Sequence, residues 1–446
     1  MTASQRYAAS LGAILVAGIF LRLWAILAIP TQPVSDFFGY FAVARHLAAT
    51  GRYETEPGVA DGRRSPAYPV LLSFAWRAVP GDALLAAKLE NVGLFVLAAL
   101  AGAALARRLW GESAGLWTAS ILAFLPRSIL MTNLLAAENL LAPLLLGYLL
   151  LCAASWIRGF SVARAAGLGL LAGVLCLTRA VLYFVPLVWL AGALAGHLGG
   201  RRIARELLVM LVVAHAVLLP WAIRNAKTLG RFTPFNLVGG VGTFIANNPH
   251  ATGQWYAWPE DLERLHSGIS ARGDVAIDDA AREEAWRWIR ANPLAAARSY
   301  VKRLGIILKD DAFAAEFAIY AKEIPFRTGP VAVLEQPHTL DGHRRAVHAA
   351  LRVSGLLFAV AALGGFWRLL RGARRGLLRD RILASGFLAA ALYVPLVSAV
   401  MAVNGRYRWA VEDVVAPLAG LFLSSLAPKA TASGEASPRT RPSARA

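Results

Sequence analysis

Cysteine is scarce in this chain, with two in 446 residues, too few for a disulfide framework. Cys152 and Cys176 both fall in apolar stretches, where a cysteine behaves as a small hydrophobe. Charge is scarce as well. Asp, Glu, Lys and Arg supply 16% of the residues, against about 25% in an ordinary soluble domain. No sustained heptad pattern and no internal repeat of useful length is present, which excludes a coiled coil and counts against transporters built from inverted repeats. What the chain has in abundance is apolar: 57% of its residues are hydrophobic and the mean hydropathy is +0.52. So few charges cannot cover that much apolar surface in water, so lipid must be part of the solvent and the chain is a polytopic, all-α membrane protein.

Acids are the scarcer sign, 27 against 46 basic residues, a net charge of +19. In a soluble protein that excess would point to nucleic acid, but its distribution here points to topology. Basic residues gather in short connectors with few acids: Arg107 and Arg108; Arg158 and Arg164; Arg201, Arg202 and Arg205; and the run from Arg368 to Arg381. Placed together on the cytoplasmic side they satisfy the positive-inside rule, and a nucleic-acid partner is not needed.

Apolar runs near 8–29, 90–106, 114–130, 140–157, 166–178, 180–196, 207–223, 350–367, 382–402 and 413–427 predict about ten crossings. The fifth is shorter than the roughly 20 residues a perpendicular helix needs, yet Arg164 and Arg201 share a side only if two crossings separate them. The first run reads as an uncleaved anchor. With both termini inside, residues 30–89 and 224–346 lie outside. The expected units are a catalytic membrane module over 1–225 with its outer loop 30–89, a lobe over 226–346, membrane helices over 347–427, and a disordered cytoplasmic tail over 428–446. The outer segment 224–346 holds 16 basic and 14 acidic residues, the near balance of a small folded lobe. Within it, Asp279–Ile289 and Pro293–Leu308 have amphipathic helical spacing, the first capped by Asp278 and the second started at Asn292-Pro293.

The first outer loop opens with Asp36, followed by Phe37, Tyr40, Phe41, Ala44 and Leu47 at the spacing of an interfacial helix. Ser35 or Asp36 could simply cap that helix. Further on, Arg63 and Arg64 precede Pro66, Tyr68 and Pro69. Paired arginines at an outer surface fit a specific phosphate or anionic headgroups. Glu138 and Arg179 are ionisable groups near the bilayer, costly unless paired or facing a cavity. They fit either a structural ion pair or a hold on a ligand. In the lobe, FNLVGGVGTFIANNPHATGQWY carries amides at Asn247 and Asn248 able to hydrogen-bond a hydroxylated ligand, with Trp255, Tyr256 and Trp258 for stacking, or else forms turns. His338, Asp341 and His343 are metal-ligand types without ligand spacing, so a surface loop is the better reading and no metal is assigned.

The order of these segments resembles the GT-C superfamily of integral-membrane glycosyltransferases. The resemblance rests on an Asp just beyond the first span, an aromatic helix, GRY, Arg-Ser-Pro-Ala-Tyr-Pro, RRLWGESAG, LLAAENLLAPLLL, PWAIRN at 220–225, NNPHATGQWY at 247–256 and NGRYRWAVED at 404–413. It is nearest the bacterial protein-mannosyltransferase-like and aminoarabinose-transferase-like branches. It implies a sugar donor carried on a polyprenyl phosphate, a lipid, envelope-glycan or protein acceptor in the periplasm, and a bacterial inner-membrane enzyme whose site faces outward. It also implies that Asp36 is the catalytic base, taking the acceptor hydroxyl's proton in an inverting displacement. Some relatives have Asp-Glu here. This chain has Asp36-Phe37, leaving Glu54, Glu56 or Glu138 to take a second acid's part. The departing phosphate calls for cations, and Arg63, Arg64, Arg224, Arg406 and Arg408 all sit at outer boundaries. Tyr40, Glu138, Arg179, Asn225, Asn247, Asn248 and Tyr407 are the expected acceptor or sugar contacts. No cofactor is required, because a single phosphate does not demand a divalent ion. The rival readings are a lipid-linked-sugar flippase, which needs charges lining both halves of the bilayer, and a non-catalytic scaffold.

Overall fold

The computed structural model describes residues 1–29, 31–78, 81–255, 259–309, 321–326, 329–334, 342–403 and 405–426. Tyr256, Trp258, His338, Asp341, the side chain of His343 and the tail from 428 onward lie outside them.

The first membrane helix, α1 (Ala3–Ala28), begins in a capping box between Thr2 and Gln5. The outer loop then forms α2 (Ser35–Thr50), a short hairpin of β1 (Glu54–Glu56) and β2 (Val59–Ala60), and α3 (Ala67–Ala78). Next come α4 (Ala83–Trp110), α5 (Glu112–Phe124), α6 (Pro126–Thr132), α7 (Glu138–Arg158), α8 (Val162–Thr178), a 3₁₀ turn over Ala180–Phe184 continuing into α9 (Pro186–Ala195), and α10 (Gly200–Leu229). The lobe contributes α11 (Gly239–Ala246), α12 (Pro259–Leu265), α13 (Gly273–Ala291), α14 (Pro293–Lys309) and an antiparallel hairpin of β3 (Ala321–Phe326) and β4 (Gly329–Leu334), the latter lying against α2. The chain then returns through α15 (Gly342–Arg374), α16 (Leu378–Ser398), a 3₁₀ turn at Gly405–Tyr407 and α17 (Arg408–Leu426).

Each of the ten apolar runs is helical. Among the described residues seven helices are long and apolar enough to cross a bilayer, and α5 with α6 makes an eighth although bent by 58°. The fifth and sixth runs are the shorter apolar helices Val162–Thr178 and Ala180–Ala195. The chain is a multi-pass membrane protein. The third run does not continue straight through Pro126: proline has no N–H to give and crowds the preceding turn, so α5 stops and α6 starts. That break frees carbonyls which lipid cannot satisfy. Arg22, fully buried in α1, satisfies them, donating to Leu122 O and Ala123 O at 2.9 Å each while lying 3.4 Å from the centre of the Phe95 ring.

Lipid tails are as apolar as leucine, so helices in a bilayer associate through close packing and satisfied polar groups. Glycines in α8 show this. A side chain at Gly169 would stand 2.4 Å from Met210 O, and one at Gly173 would stand 2.7 Å from Val217 Cβ. The pair forms a Gly-x-x-x-Gly face on which α10 lies. A core cluster shared by α7, α8, α9, α10 and α16 includes Tyr148, Trp156, Leu168, Trp189, Met210 and Phe387. Cys152 and Cys176 are buried free thiols.

Two expectations are corrected. Asp278 does not start its helix, because α13 begins five residues earlier; its carboxylate instead accepts the Gly240 N–H at 2.7 Å and caps α11 from across the lobe. Neither Ser35 nor Asp36 caps α2. The cap position is Val34, with no side-chain hydrogen bond.

Candidate active site

Helix ends alternate through the chain, so the ends of α1, α6, α8, α10 and α16 meet the starts of α4, α7 and α17 on one side, and the arginine-rich connectors fall on the other. Asp36 lies on the first of these sides. Ser35, just before it, has φ of +52°, a left-handed conformation that costs a non-glycine residue about 1–3 kcal/mol and is characteristic of functional positions.

The Asp36 side chain is 57% exposed and that of Arg406 is 7% exposed, and Arg406 Nη2 donates to Asp36 Oδ2 at 2.6 Å. Behind Arg406 stands Glu138, 3.6 Å from Arg406 Nε and in a hydrogen-bonded ion pair with Arg179. Arg179 in turn lies 4.7 Å from the Tyr407 ring centre. Two carboxylates and two guanidiniums therefore alternate from the surface inward. Their hydrogen bonding is incomplete: Arg406 Nε, Arg179 Nε and Glu138 Oε2 are buried without hydrogen-bond partners among the described residues. Below them, Leu141, Val181, Leu182, Val394 and Ala410 complete a small cavity with Glu138, Arg179, Arg406 and Tyr407 on its wall.

Neighbouring protein partly desolvates the Asp36 carboxyl and works to raise it, but Arg406, aided by Arg64 and Arg179, outweighs this and holds the group below the usual carboxylate range. Burial also pushes the Tyr40 phenol up to about 12, so Tyr40 is a neutral donor at physiological pH. Its ring packs edge-on against Tyr68, 5.7 Å between centres.

Arg64 reaches the same place from the first loop. Its guanidinium lies over Gly39, one turn beyond Asp36, so closely that a side chain there would stand 1.9 Å from Arg64 Nε. Only glycine leaves that room. Asp61 holds Arg64 in position by an ion pair and accepts the backbone N–H groups of Arg63 and Arg64 at 3.0 and 2.8 Å. Neither Gly39 nor Asp61 stood out in the sequence. The Asp61-Gly62 pair looks like a turn, and nothing local marks the partner of Gly39.

The remaining arginines point elsewhere. Arg224 donates to Asp61 O at 2.8 Å and Tyr53 O at 2.7 Å, fastening the end of α10 to the first loop. Arg63 bonds Asp274 at 2.7 Å at the start of α13. Arg408 bonds Glu412 at 2.6 Å and Leu308 O at 2.7 Å. The amides are likewise engaged in backbone: Asn225 donates to Thr233 O, Asn247 to Thr243 O and Asn248 to Phe244 O. Glu54 accepts the Gly58 N–H within its own hairpin, and Glu56 is exposed. The structure thus brings together Asp36, Tyr40, Arg64, Glu138, Arg179, Arg406 and Tyr407.

Among the described residues no group of three or more His, Cys, Asp or Glu side chains could hold a metal ion. Asp36 and Glu138 each face a guanidinium, a donor set that does not fit a divalent cation.

No family model matches the chain, and no curated protein matches it. Solved structures do. The archaeal oligosaccharyltransferase AglB from Archaeoglobus fulgidus, in complex with an inhibitory peptide and a dolichol-phosphate, matches 95% of this chain and 51% of its own, with 14% identity and a TM-score of 0.55. The Archaeoglobus fulgidus oligosaccharyltransferase complexed with Zn and sulfate matches 93% and 49%, with 15% identity and a TM-score of 0.52. ArnT from Cupriavidus metallidurans bound to undecaprenyl phosphate matches 95% and 79%, with 16% identity and a TM-score of 0.43. The chain spans about half the length of the two oligosaccharyltransferase chains. At such identities the likeness carries architecture alone: the chain shares the fold of the two oligosaccharyltransferase chains over nearly its whole length.

Proposed function

We propose that the protein is an inverting glycosyltransferase that moves a sugar from a polyprenyl-phosphate carrier to a lipid, glycan or protein acceptor at the periplasmic face of a bacterial inner membrane. The observation that carries this reading is the juxtaposition of a solvent-facing carboxylate, Asp36, with two incompletely bonded guanidiniums, Arg406 and Arg179, at the head of an apolar cavity. A lipid phosphate is the ligand whose two parts match those two surroundings. Phosphate oxygens would draw on the Arg406 and Arg179 N–H groups, and the first prenyl units would lie on the side of Leu141, Val181, Leu182 and Val394, where the cavity, with room for about one water molecule, would have to widen to take them.

In the reaction the acceptor hydroxyl attacks the anomeric carbon and its proton passes to an Asp36 oxygen. The bond from that carbon to the phosphate oxygen breaks, and the electron pair leaves with the phosphate, where Arg406 and Arg179 meet the growing charge. Glu138 touches both arginines and orients them. Arg64, fixed by Asp61 and seated on Gly39, adds a third cation beside Asp36. The AglB structure of the same fold is a complex with an inhibitory peptide and a dolichol-phosphate, in keeping with a lipid-linked donor.

The test is mass spectrometry of envelope glycolipids and glycoproteins from cells with and without the gene, paired with release of undecaprenyl phosphate from an undecaprenyl-phosphate sugar by the purified protein. One sugar should disappear from one envelope component. If no component changes and no carrier is released, the protein is not such a transferase.

A further inference from the structure

Arg406 serves two masters, which bears on how the reaction starts. In the resting protein its Nη2 is committed to Asp36 at 2.6 Å, while its Nε, 3.6 Å from Glu138, is buried without a hydrogen-bond partner among the described residues. The negative charges of Asp36 and Glu138 balance the positive charges of Arg179 and Arg406, and Asp61 balances Arg64. A phosphate entering beside Arg406 and Arg179 leaves one carboxylate in excess. Glu138 cannot be that one, since its side chain is 4% exposed and releasing it would strand a charge in a low-dielectric wall. Asp36 can, because its side chain already reaches water.

We infer, on the footing of the transferase reading, that the donor's phosphate and Asp36 compete for Arg406, so that donor arrival releases Asp36 from its ion pair. A carboxylate clamped by an arginine is a poor base, and one freed into a partly desolvated site is a better one. The base is thereby withheld until a sugar donor is present. The rings of Phe37 and Tyr407, 5.8 and 5.9 Å from the Arg406 guanidinium, offer faces along which it can turn without losing contact.

Competition predicts that removing Asp36 strengthens phosphate binding, and only while Arg406 is present. The experiment is equilibrium binding of undecaprenyl phosphate to the purified full-length protein in detergent, for the parent, Asp36→Asn, Arg406→Ala and the double variant. Inorganic phosphate and phosphatidylglycerol are run as separate ligands, to distinguish a free phosphate or a headgroup from the prenyl carrier. Thermal unfolding is recorded for each protein, and Asp36→Ala with Arg406→Lys serves as a second pair if either of the first unfolds. Asp36→Asn should bind undecaprenyl phosphate about tenfold more tightly than the parent, the scale of one charge-assisted contact. In the Arg406→Ala background the same change should gain no more than about twofold. An equal gain in both backgrounds would mean plain repulsion between two anions, and no gain in either would mean no competition. Both results overturn the inference while leaving the transferase reading standing. Failure of the parent to bind undecaprenyl phosphate at all would remove the donor reading and this inference with it.

Discussion

Two clusters of acid and arginine lie within the outer part of this protein, and they differ in how fully they are bonded. Around Asp61, Arg224 donates from both terminal nitrogens to backbone carbonyls, Arg63 pairs with Asp274, and Asp61 accepts two backbone N–H groups besides Arg64 and the Thr55 hydroxyl at 3.1 Å. Around Asp36, by contrast, Arg406, Arg179 and Glu138 each keep a polar atom buried without a hydrogen-bond partner among the described residues, against Arg64 Nε alone among the acids and arginines around Asp61, and the Asp36 side chain is more than half exposed. Burying an unsatisfied polar group costs about 1–3 kcal/mol, so a native fold tolerates several together only where a ligand or water completes them. On the proposed reading the same residue types make a fastening in one place and a receptor in the other. Satisfaction of hydrogen bonds, more than charge, separates them.

The largest expected effect is at Asp36. Asparagine preserves size, and because α2 takes no cap from this side chain, Asp36→Asn should fold normally while losing at least about 10²-fold in transfer rate, the scale of general-base catalysis. Near-parental transfer by a well-folded Asn variant would dismiss Asp36 and turn attention to Glu138.

Next is Arg406→Ala, for which transfer should fall about tenfold to a hundredfold, as expected for one charge-assisted phosphate contact. The pH profile gives a second reading of the same variant. Arg406 depresses the Asp36 carboxyl, with Arg64 and Arg179 helping. Its removal raises that pKa, Asp36 is then protonated at higher pH, and the acid limb of activity should move upward. An unmoved or downward-moving limb would mean that Asp36 is not the group titrating.

Smaller effects belong to the fastening cluster. Arg224→Ala breaks the tie between α10 and the first loop, so the melting temperature should drop while transfer stays within about threefold of the parent, since the lost bonds stabilise the fold without touching the reacting atoms. A hundredfold loss with an unchanged melting temperature would move Arg224 into the site. Topology can be read with no effect on rate: single cysteines at Ser267 in the lobe and Arg374 between α15 and α16 should label from outside and from inside respectively, against a background of two buried thiols. The reverse pattern would put the whole site on the wrong face.

Much of the architecture was legible in the sequence because hydropathy is a local property. Every apolar run became a helix, including the short α8, whose Gly169 and Gly173 suit it to close packing on α10. Pro126 was in plain view as a break, but a hydropathy run passes through it. The site was legible unevenly. Asp36, Arg64 and Arg406 stood out as charges at outer boundaries, yet which arginines meet Asp36 depends on partners 370 residues apart for Arg406 and 163 apart for Arg224 and Asp61. Those pairings arise only once the helices pack. Asp278 teaches the same lesson: it stands like a cap for its own helix but serves one 38 residues upstream.

The comparison comes to a point in undecaprenyl phosphate binding by Arg406→Ala and Arg224→Ala measured side by side. Both remove one arginine from the side of the fold that carries Asp36, and both leave Asp36 in place. If incomplete bonding marks the receptor, Arg406→Ala weakens binding about tenfold or more while Arg224→Ala stays within about twofold. Equal losses, or a larger loss at Arg224, would contradict the assignment of the phosphate to Arg406 and Arg179.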